Sequence, residues 1–290
     1  MKIAYKESRF SSASLARIER VNEIIAEYLA MDLRLTLRQL YYQLVSRNVI
    51  RNSQKEYKNL GHLVSEARLA GRVDWDAIED RVRVPRAPSE FNNLQELVAA
   101  AVASYRLPRW DGQEKYVELW VEKDALAGVL EPLASEFHVT MAVNRGYSSQ
   151  TAMKDAADRF AAKVSDGFDP LLFYLGDHDP SGEDMVRDID TRLDLLRAGG
   201  VHVKKLALTM TQITHFNPPP NPANMADSRA EGYVARHGTE AWEVDALPPD
   251  ELARIIRREF TRIIDRDAMD RIKRHEQSDK RKLERATRNL

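Results

Sequence analysis

The stretch LLFYLGDHDPSG at residues 171–182 contains the features that set the fold of this chain. Its first five residues are apolar or aromatic, as in a strand that is buried on both faces of a sheet. A polar loop follows, and helical periodicity then extends over residues 183–196. A buried strand that leads directly into a helix is typical of the units from which parallel sheets are built.

The same alternation extends over the central part of the chain. Strand-like segments lie at 116–121, 139–143, 171–175 and 201–208, and helical segments lie between them at 125–137, 150–164 and 183–196. The alternation predicts an α/β fold with a mostly parallel, doubly wound sheet. Residues 209–249, which include NPPPNP at 217–222, do not fit the pattern and are expected to form a long ordered loop or insertion.

Three helical segments precede the α/β region. In the second, Thr36 and Gln39 form a capping-box pattern ahead of an apolar stripe over residues 37–45. The Val73–Trp75 segment that follows the third helix could form a wing. Together these features predict an N-terminal all-α winged-helix-like domain, and the alternative is a plain three-helix packing unit.

Prolines and changes in composition divide the chain. Pro85 and Pro88 mark the first boundary. The predicted parts are a winged-helix-like DNA-binding domain (1–90), a linker helix (91–114), the α/β domain (115–249), and a C-terminal helix with a charged tail (250–290). The tail is expected to fray from His275 onward.

Positive charge is concentrated near the N-terminus, although the net charge of the chain is only −1. Residues 34–72 carry 8 basic and 2 acidic side chains, a density that can neutralise DNA phosphates. The alternative is an ordinary solvated face of charged helices. If this surface binds DNA, we expect the phosphate contacts to come from Arg47, Arg51, Lys55, Lys58 and Arg68.

Composition also limits the class of protein. The chain has no cysteine, which excludes thiolate nucleophiles and Cys-ligated zinc sites. Its start lacks the apolar stretch of a signal peptide, and no run approaches the roughly 18 apolar residues of a membrane span. We therefore expect a cytoplasmic, nucleoid-associated protein with no membrane partner.

Three acidic residues directly follow two of the predicted strands. Glu122 comes after YVELWV, and Asp177 and Asp179 come after LLFYLG. Because ligands of an open parallel sheet lie beyond the carboxyl ends of its strands, we expect these carboxylates to meet at one edge. An all-oxygen set suits Mg²⁺, so the sequence predicts a Mg²⁺ site at Glu122, Asp177 and Asp179.

Two other interpretations of the DHDPSG segment stay open at this point. It resembles the start of an EF-hand calcium loop with Asp188 at the twelfth position, although a strand rather than a helix precedes it. Asp179 before Pro180 is also a common way to begin a helix, in which case the segment would be a solvated turn.

Four short motifs carry a resemblance to a known family. VEKDA (121–125) and GDHDPSG (176–182) resemble the two signature elements of the Toprim domain. TLRQLYYQL (36–44) resembles the catalytic-tyrosine segment of topoisomerase VI A subunits and their meiotic double-strand-break relatives, and NRGYSS (144–149) resembles a further family segment. The chain is similar in its compactness to the stand-alone "Mini-A" homologues of this type IIB family.

The resemblance implies a homodimer that cuts both strands of double-stranded DNA through a tyrosine, with Mg²⁺ in the Toprim site. The family's topoisomerases also use a B-type ATPase subunit. No G-x-x-x-x-G-K-[ST] motif occurs in this sequence, so an ATPase partner would be a separate chain.

A tyrosine nucleophile needs activation, because a free phenol has a pKa near 10. Tyr41 belongs to the apolar stripe of its helix and is expected to face the core. Tyr42 lies about 100° further round the helix and four residues after Arg38, so it should point away from the core with a permanent cation beside it. Helical geometry and the resemblance both select Tyr42 as the nucleophile, with Arg38 orienting the phenol or holding the phosphate. The alternative is a tyrosine that only contacts solvent or phosphate.

Three functions are compatible with these features. The first is Mg²⁺-dependent double-strand cleavage by transesterification, which leaves a 5′-phosphotyrosyl link. The second is a hydrolytic Toprim nuclease in which Tyr42 takes no part, and the third is a DNA-binding protein without catalysis. Lys123 is expected to contact phosphate or to be an ordinary surface residue. Glu243 and Asp245 are expected to be structural.

Overall fold

The computed structural model describes residues 1–31, 33–79, 88–144 and 146–287. The domain boundary expected at Pro85 and the Arg145 of NRGYSS lie outside these residues. In the described ranges the chain forms one four-stranded sheet, two two-stranded sheets and a set of surrounding helices.

The N-terminal unit is built from helices and one short strand pair, namely α1 (Ser12–Ala30), β1 (Leu35–Thr36), α2 (Leu37–Ser46), α3 (Gln54–Leu69) and β2 (Ile78–Glu79). Each helix begins after a serine or threonine whose side chain accepts a backbone N–H three residues on. The capping box at Thr36 and Gln39 is confirmed, since both of its hydrogen bonds are present. The Val73–Trp75 segment, which was expected to form a wing, forms a bend and the start of a 3-10 turn, and β2 follows it.

A parallel sheet forms the centre of the molecule. Its strands are β3 (Lys115–Val121), β4 (Thr140–Val143), β5 (Asp169–Leu175) and β6 (His202–Ala207), in the spatial order β4-β3-β5-β6. All neighbouring strands are parallel, and Val121 at the end of β3 is paired with Leu175 at the end of β5. The predicted α/β fold with a parallel sheet is therefore confirmed.

Helices cover both faces of the sheet, because successive side chains of a strand point to opposite faces and both sets are apolar here. Leu119 and Phe173 face a layer that includes α5 (Ala127–Phe137) and α10 (Pro249–Ile263). Trp120 and Tyr174 face the layer of α6 (Gln150–Ser165) and α7 (Pro180–Leu195). Burial on both faces gives the doubly wound arrangement.

Residues 209–249, which were expected to form a long ordered loop or insertion, contain several short elements. They contain α8 (Met210–Phe216), β7 (Asn221–Pro222), α9 (Ala230–His237), β8 (Glu240–Ala241) and a 3-10 turn at Val244–Ala246. The 3-10 turn packs against α2. This segment therefore connects the sheet to the N-terminal unit.

Two helices pair at the other end of the molecule. The predicted linker helix is α4 (Leu94–Ser104), and it contacts α11 (Arg266–Ala286). The tail that was expected to fray from His275 is helical in the described residues, since α11 continues to Ala286. Buried Glu276 holds α11 in place by accepting the Leu107 N–H (3.1 Å) and a hydrogen bond from Arg109 (2.9 Å).

Candidate active site at the sheet edge

Helix α2 carries the predicted nucleophile and its cation. Arg38 and Tyr42 are one helical turn apart, and the guanidinium carbon of Arg38 lies 5.9 Å from the centroid of the Tyr42 ring. The spacing of the two residues therefore does bring a permanent positive charge to the phenol, as the sequence predicts.

Tyr42 is buried, so the expectation that it points away from the core is wrong. Tyr42 is 3% exposed to solvent and belongs to the hydrophobic cluster of the N-terminal unit. This cluster also includes Ala246 from the 3-10 turn. Burial raises the pKa of Tyr42 above its usual value, and the carboxylates of Glu243 and Asp245 act in the same direction while Arg38 opposes them. The phenol is harder to ionise in this state than a free tyrosine.

A cavity of about 410 Å³ lies beside Tyr42. Its other lining residues are Arg38, Tyr41, Asn52, Ser53, Gln54, Tyr57, Asn221 and Glu243. The hydroxyl of Tyr41 donates to Asn52 Oδ1 (2.9 Å) and accepts the Ser53 N–H (2.7 Å). Tyr41 is thus a buried, hydrogen-bonded residue that orders the start of α3, as its position in the apolar stripe suggests.

Five charged side chains form a continuous ionic network between α2 and the end of β5, namely Arg38, Lys123, Asp177, Glu243 and Asp245. The Lys123 ammonium lies 2.9 Å from Asp177 Oδ2, 2.9 Å from Glu243 Oε2 and 3.1 Å from Asp245 Oδ1. Arg38 donates a hydrogen bond to Glu243. Its Nε lies 2.9 Å from Asp245 Oδ2 without hydrogen-bond geometry, so we treat that contact as electrostatic only.

The carboxylates of the network differ in their affinity for protons. Although burial opposes it, the cations Lys123 and Arg38 lower the pKa of Glu243 to about 2. Burial raises the pKa of Asp245, and burial also raises the pKa of Asp177 to about 7, with Lys123 opposing the rise. Two cations face these three carboxylates. Asp177, at the end of β5, contacts only one of the two, Lys123.

Two of the three predicted metal ligands, Glu122 and Asp177, come together at this edge. Glu122 Oε2 accepts the Asp177 N–H at 3.0 Å, which places the residues that follow β3 and β5 side by side. Asp179 lies two residues further on, where its Oδ1 accepts the Gly182 N–H (2.6 Å) and the Ser181 hydroxyl (3.0 Å). Asp179 therefore caps α7.

The structure decides between the two other interpretations of the DHDPSG segment, a helix start and an EF-hand loop. The helix start at Asp179-Pro180 is confirmed, because α7 begins at Pro180. An EF-hand loop is excluded, since Asp188 lies two turns inside α7 and pairs with Arg192 (3.5 Å). A side chain at Gly182 would collide with the Asp177 carbonyl, so the tight turn requires glycine there.

The chemistry of the three predicted ligands suits Mg²⁺, provided that Lys123 yields its position. All three side chains offer carboxylate oxygens, the ligands that Mg²⁺ prefers. Asp177 Oδ1 accepts the Val244 N–H (2.8 Å) and Oδ2 contacts Lys123, so a metal ion would replace the ammonium at Oδ2. Among the described residues, the second carboxylate oxygens of Glu122 and Asp179 accept no hydrogen bond.

The predicted DNA-contacting residues fall into two groups. Arg51, Lys55 and Lys58 are exposed and flank the stretch that lines the Tyr42 cavity. Arg47 instead pairs with Glu27 (2.6 Å). Arg68 donates to two backbone carbonyls, those of Trp75 (2.8 Å) and Ile78 (2.7 Å), and Lys123 is held in the ionic network.

Sequence reasoning missed the contribution of Glu243 and Asp245 to this site. It noted both acids in WEVDALPP and gave them a structural role. The missing information was their position, which depends on two backbone hydrogen bonds between His178 and Trp242 (2.8 and 2.9 Å). These bonds dock the segment beside the end of β5.

Comparison with known proteins adds no family assignment. The chain matches no protein-family model, and it has no significant match among curated proteins. No helix in the described ranges combines the length and apolar character that a membrane span requires.

Proposed function

We propose that this chain cleaves both strands of DNA by Mg²⁺-dependent attack of Tyr42, in the manner of the topoisomerase VI A subunits that its motifs resemble. On this proposal the N-terminal unit acts as a winged-helix-like domain and the sheet as a Toprim domain. The observation that carries the proposal is the ionic network, because it joins the helix of Tyr42 to the edge where Glu122 and Asp177 meet.

The chemistry assigns a task to each group. The Tyr42 oxygen attacks a backbone phosphorus and loses its proton, the bond from phosphorus to the 3′ oxygen breaks, and a 5′-phosphotyrosyl link and a free 3′-hydroxyl result. Arg38 would hold the phenol or the phosphate, and exposed Arg51 and Lys55 would bind the DNA backbone. Mg²⁺, when bound to the carboxylates, would stabilise the charge that develops on the phosphate.

The described arrangement fits a resting state of such an enzyme. Tyr42 is buried, and the groups that catalysis needs are engaged in ion pairs. Arg38 is paired with Glu243, and Asp177 is paired with Lys123. A DNA phosphate would compete with Glu243 for Arg38, and a metal ion would compete with Lys123 for Asp177. Substrate and metal together would therefore open the network.

The proposal is tested by incubating the protein with supercoiled plasmid and Mg²⁺, then denaturing it with and without protease digestion. We expect linear DNA whose 5′ ends stay bound to protein until the protease is added. The covalent link should be absent in Tyr42→Phe and in the presence of a chelator.

A hydrolytic nuclease is the second candidate, and the burial of Tyr42 favours it. A water molecule activated at the acidic edge would not need a phenol that is 3% exposed. In the same assay this function gives linear DNA without attached protein, and Tyr42→Phe keeps the activity.

A DNA-binding protein without catalysis is the third candidate. It is favoured by Lys123, which supplies the positive charge that a metal would otherwise bring to Asp177. Retarded DNA without cleavage, at every Mg²⁺ concentration, would identify this function.

The proposed partners are double-stranded DNA, a second copy of the chain and a separate ATPase subunit. Two cuts in one duplex require two tyrosines, hence the homodimer. Mass measurement in solution, with and without DNA, tests the dimer.

A further inference from the structure

A second cluster of metal-ligating side chains lies directly behind the acidic edge. His178 lies between Asp177 and Asp179, Glu183 is in the first turn of α7, and His237 is the last residue of α9. One ligand atom from each of the three side chains His178, Glu183 and His237 lies within 4.8 Å of the others. The proposed DNA cleavage uses none of these three side chains.

The hydrogen bonds of Tyr233 fix the tautomer of His178. The Tyr233 hydroxyl lies 3.0 Å from the His178 carbonyl and 2.9 Å from the Glu240 carbonyl, and both carbonyls can only accept. If its single proton is donated to one of these carbonyls, its oxygen is free to accept. We therefore assign the contact of 2.9 Å between the hydroxyl and His178 Nδ1 to donation by Nδ1–H.

This tautomer leaves a lone pair on His178 Nε2, which faces the carboxylate of Glu183. His178 is 2% exposed, and its Nε2 lies 3.7 Å from Glu183 Oε1, too far for a hydrogen bond. Among the described residues Nε2 has no hydrogen-bond partner. The ring of His237 stands perpendicular to that of His178, with centroids 4.8 Å apart, and closes a third side of the gap.

We propose that His178 Nε2, Glu183 and His237 bind a divalent transition-metal ion of the Zn²⁺ type. Two imidazoles with one carboxylate suit Zn²⁺, whereas Mg²⁺ prefers oxygen ligands alone. An outer hydrogen bond from the remaining ring N–H of a ligating histidine is a regular feature of such sites, and Tyr233 accepts it here. The set leaves a coordination position for water.

Lys205 also binds Glu183, one of the three proposed metal ligands. Its ammonium donates to Glu183 Oε1 (2.7 Å), to the Asp177 carbonyl (2.7 Å) and to the Gly182 carbonyl (3.3 Å). Lys205 thus keeps Glu183 ionised and in place, and the metal would bind its other oxygen. A bound ion would link α9 to the loop that carries Asp177 and Asp179, and so stiffen the acidic edge.

Zn²⁺ binding to the metal-free, full-length protein tests the proposal by calorimetry and by metal analysis after gel filtration. We expect one Zn²⁺ per chain in the wild type and a loss of affinity of at least about tenfold in His237→Ala, since even outer-shell changes cost about 10–100-fold. His237 is half-exposed at the end of a helix, so the variant should fold. The matched control is His215→Ala, which removes an exposed histidine from the last turn of α8.

Two further measurements separate this site from the acidic edge. Asp179→Asn should keep its Zn²⁺, and excess Mg²⁺ should not displace it. Absence of Zn²⁺ binding in the wild type, or equal affinity in wild type and His237→Ala, would overturn the proposal. Loss of Zn²⁺ in Asp179→Asn would place the ion at the acidic edge instead and would likewise overturn it.

Discussion

Arg38 and Lys123 donate hydrogen bonds to the same oxygen, Oε2 of Glu243. One residue belongs to the helix of Tyr42 and the other follows β3, so a single carboxylate joins the two halves of the candidate site. Because Glu243 and Asp245 hold both cations, the network sets the stability of this edge as well as its chemistry.

Lys123→Met tests the stabilising part of the network. The substitution leaves Asp177 and buried Asp245 without their shared cation, and breaking one partner of a buried ion pair costs about 3–5 kcal/mol. Urea denaturation should show this loss, and Mg²⁺ should restore part of it by replacing the ammonium. Lys154→Met is the control, because its pair with Asp158 is exposed and should change stability by no more than about 0.5 kcal/mol. Equal effects of the two substitutions would contradict the network's importance.

Tyr42→Phe tests the nucleophile. It removes one oxygen and keeps the ring in the core, so folding and DNA affinity should barely change while covalent cleavage is lost. The control is Tyr57→Phe, which lines the same cavity and whose hydroxyl makes no hydrogen bond to a described residue. Cleavage at near wild-type rate by Tyr42→Phe would eliminate the transesterification mechanism.

Tyr41→Phe is unsuitable as the control for Tyr42→Phe. It removes the acceptor of the Ser53 N–H at the cap of α3, so we expect a loss of about 1–3 kcal/mol in the free energy of unfolding. Thermal or urea unfolding measures it, and an unchanged stability would show that water replaces the hydroxyl.

Substitutions of the acidic pair should separate metal binding from folding. Asp179→Ala removes the cap of α7 and should cost about 0.5–2 kcal/mol as well as cleavage. Asp177→Asn keeps an acceptor for the Val244 N–H, so it should fold well and still fail to cleave, whereas Asp177→Ala should also lose stability. Undiminished cleavage by Asp177→Asn would reject the Mg²⁺ assignment.

The salt dependence of DNA binding tests the basic surface. Replacing exposed Arg51, Lys55 and Lys58 together by Ala should weaken binding to all sequences and reduce the slope of log K against log salt by about 3. Arg187→Ala, on α7 and paired with Asp184, serves as a control. An unchanged slope in the triple variant would place the DNA elsewhere.

Mixing two inactive proteins tests how a dimer would assemble its sites. The resemblance implies that the tyrosine of one protomer meets the metal site of its partner, although Arg38 here reaches the Glu243 of its own chain. If the site forms between protomers, Tyr42→Phe mixed with Asp177→Asn restores one site and produces nicked DNA. A dimeric mixture without nicking would show that each chain uses its own tyrosine.

The parts of the fold that were predictable depend on neighbours in sequence. The capping box at Thr36 and the apolar strand before Asp177 are local patterns, and both formed as expected. Glu122 and Asp177 were brought together because adjacent parallel strands end at one edge. The meeting of Glu122 and Asp177 could therefore be predicted from sequence, whereas the place of Glu243 and Asp245 could not.

The features that the sequence did not predict depend on contacts between segments that are far apart in the chain. Tyr42 was expected at the surface because its helix face has no apolar stripe. It is buried in the hydrophobic cluster that Ala246 joins where the Val244–Ala246 turn packs against α2. Residues 209–249 gave no signal, since strands of two residues have no periodicity. Arg68 looked like a phosphate contact, but its partners are backbone carbonyls, which no charge pattern predicts.

The ion pair between Arg38 and Glu243 joins residues 205 positions apart, and this distance has a consequence for biosynthesis. At about 5–20 residues per second, a ribosome needs on the order of 10–40 s to make the intervening chain. Throughout that interval α2 has been synthesised and its acidic partners have not. On the nascent chain Arg38 is therefore without Glu243 and Asp245, the two carboxylates that contact it in the folded protein.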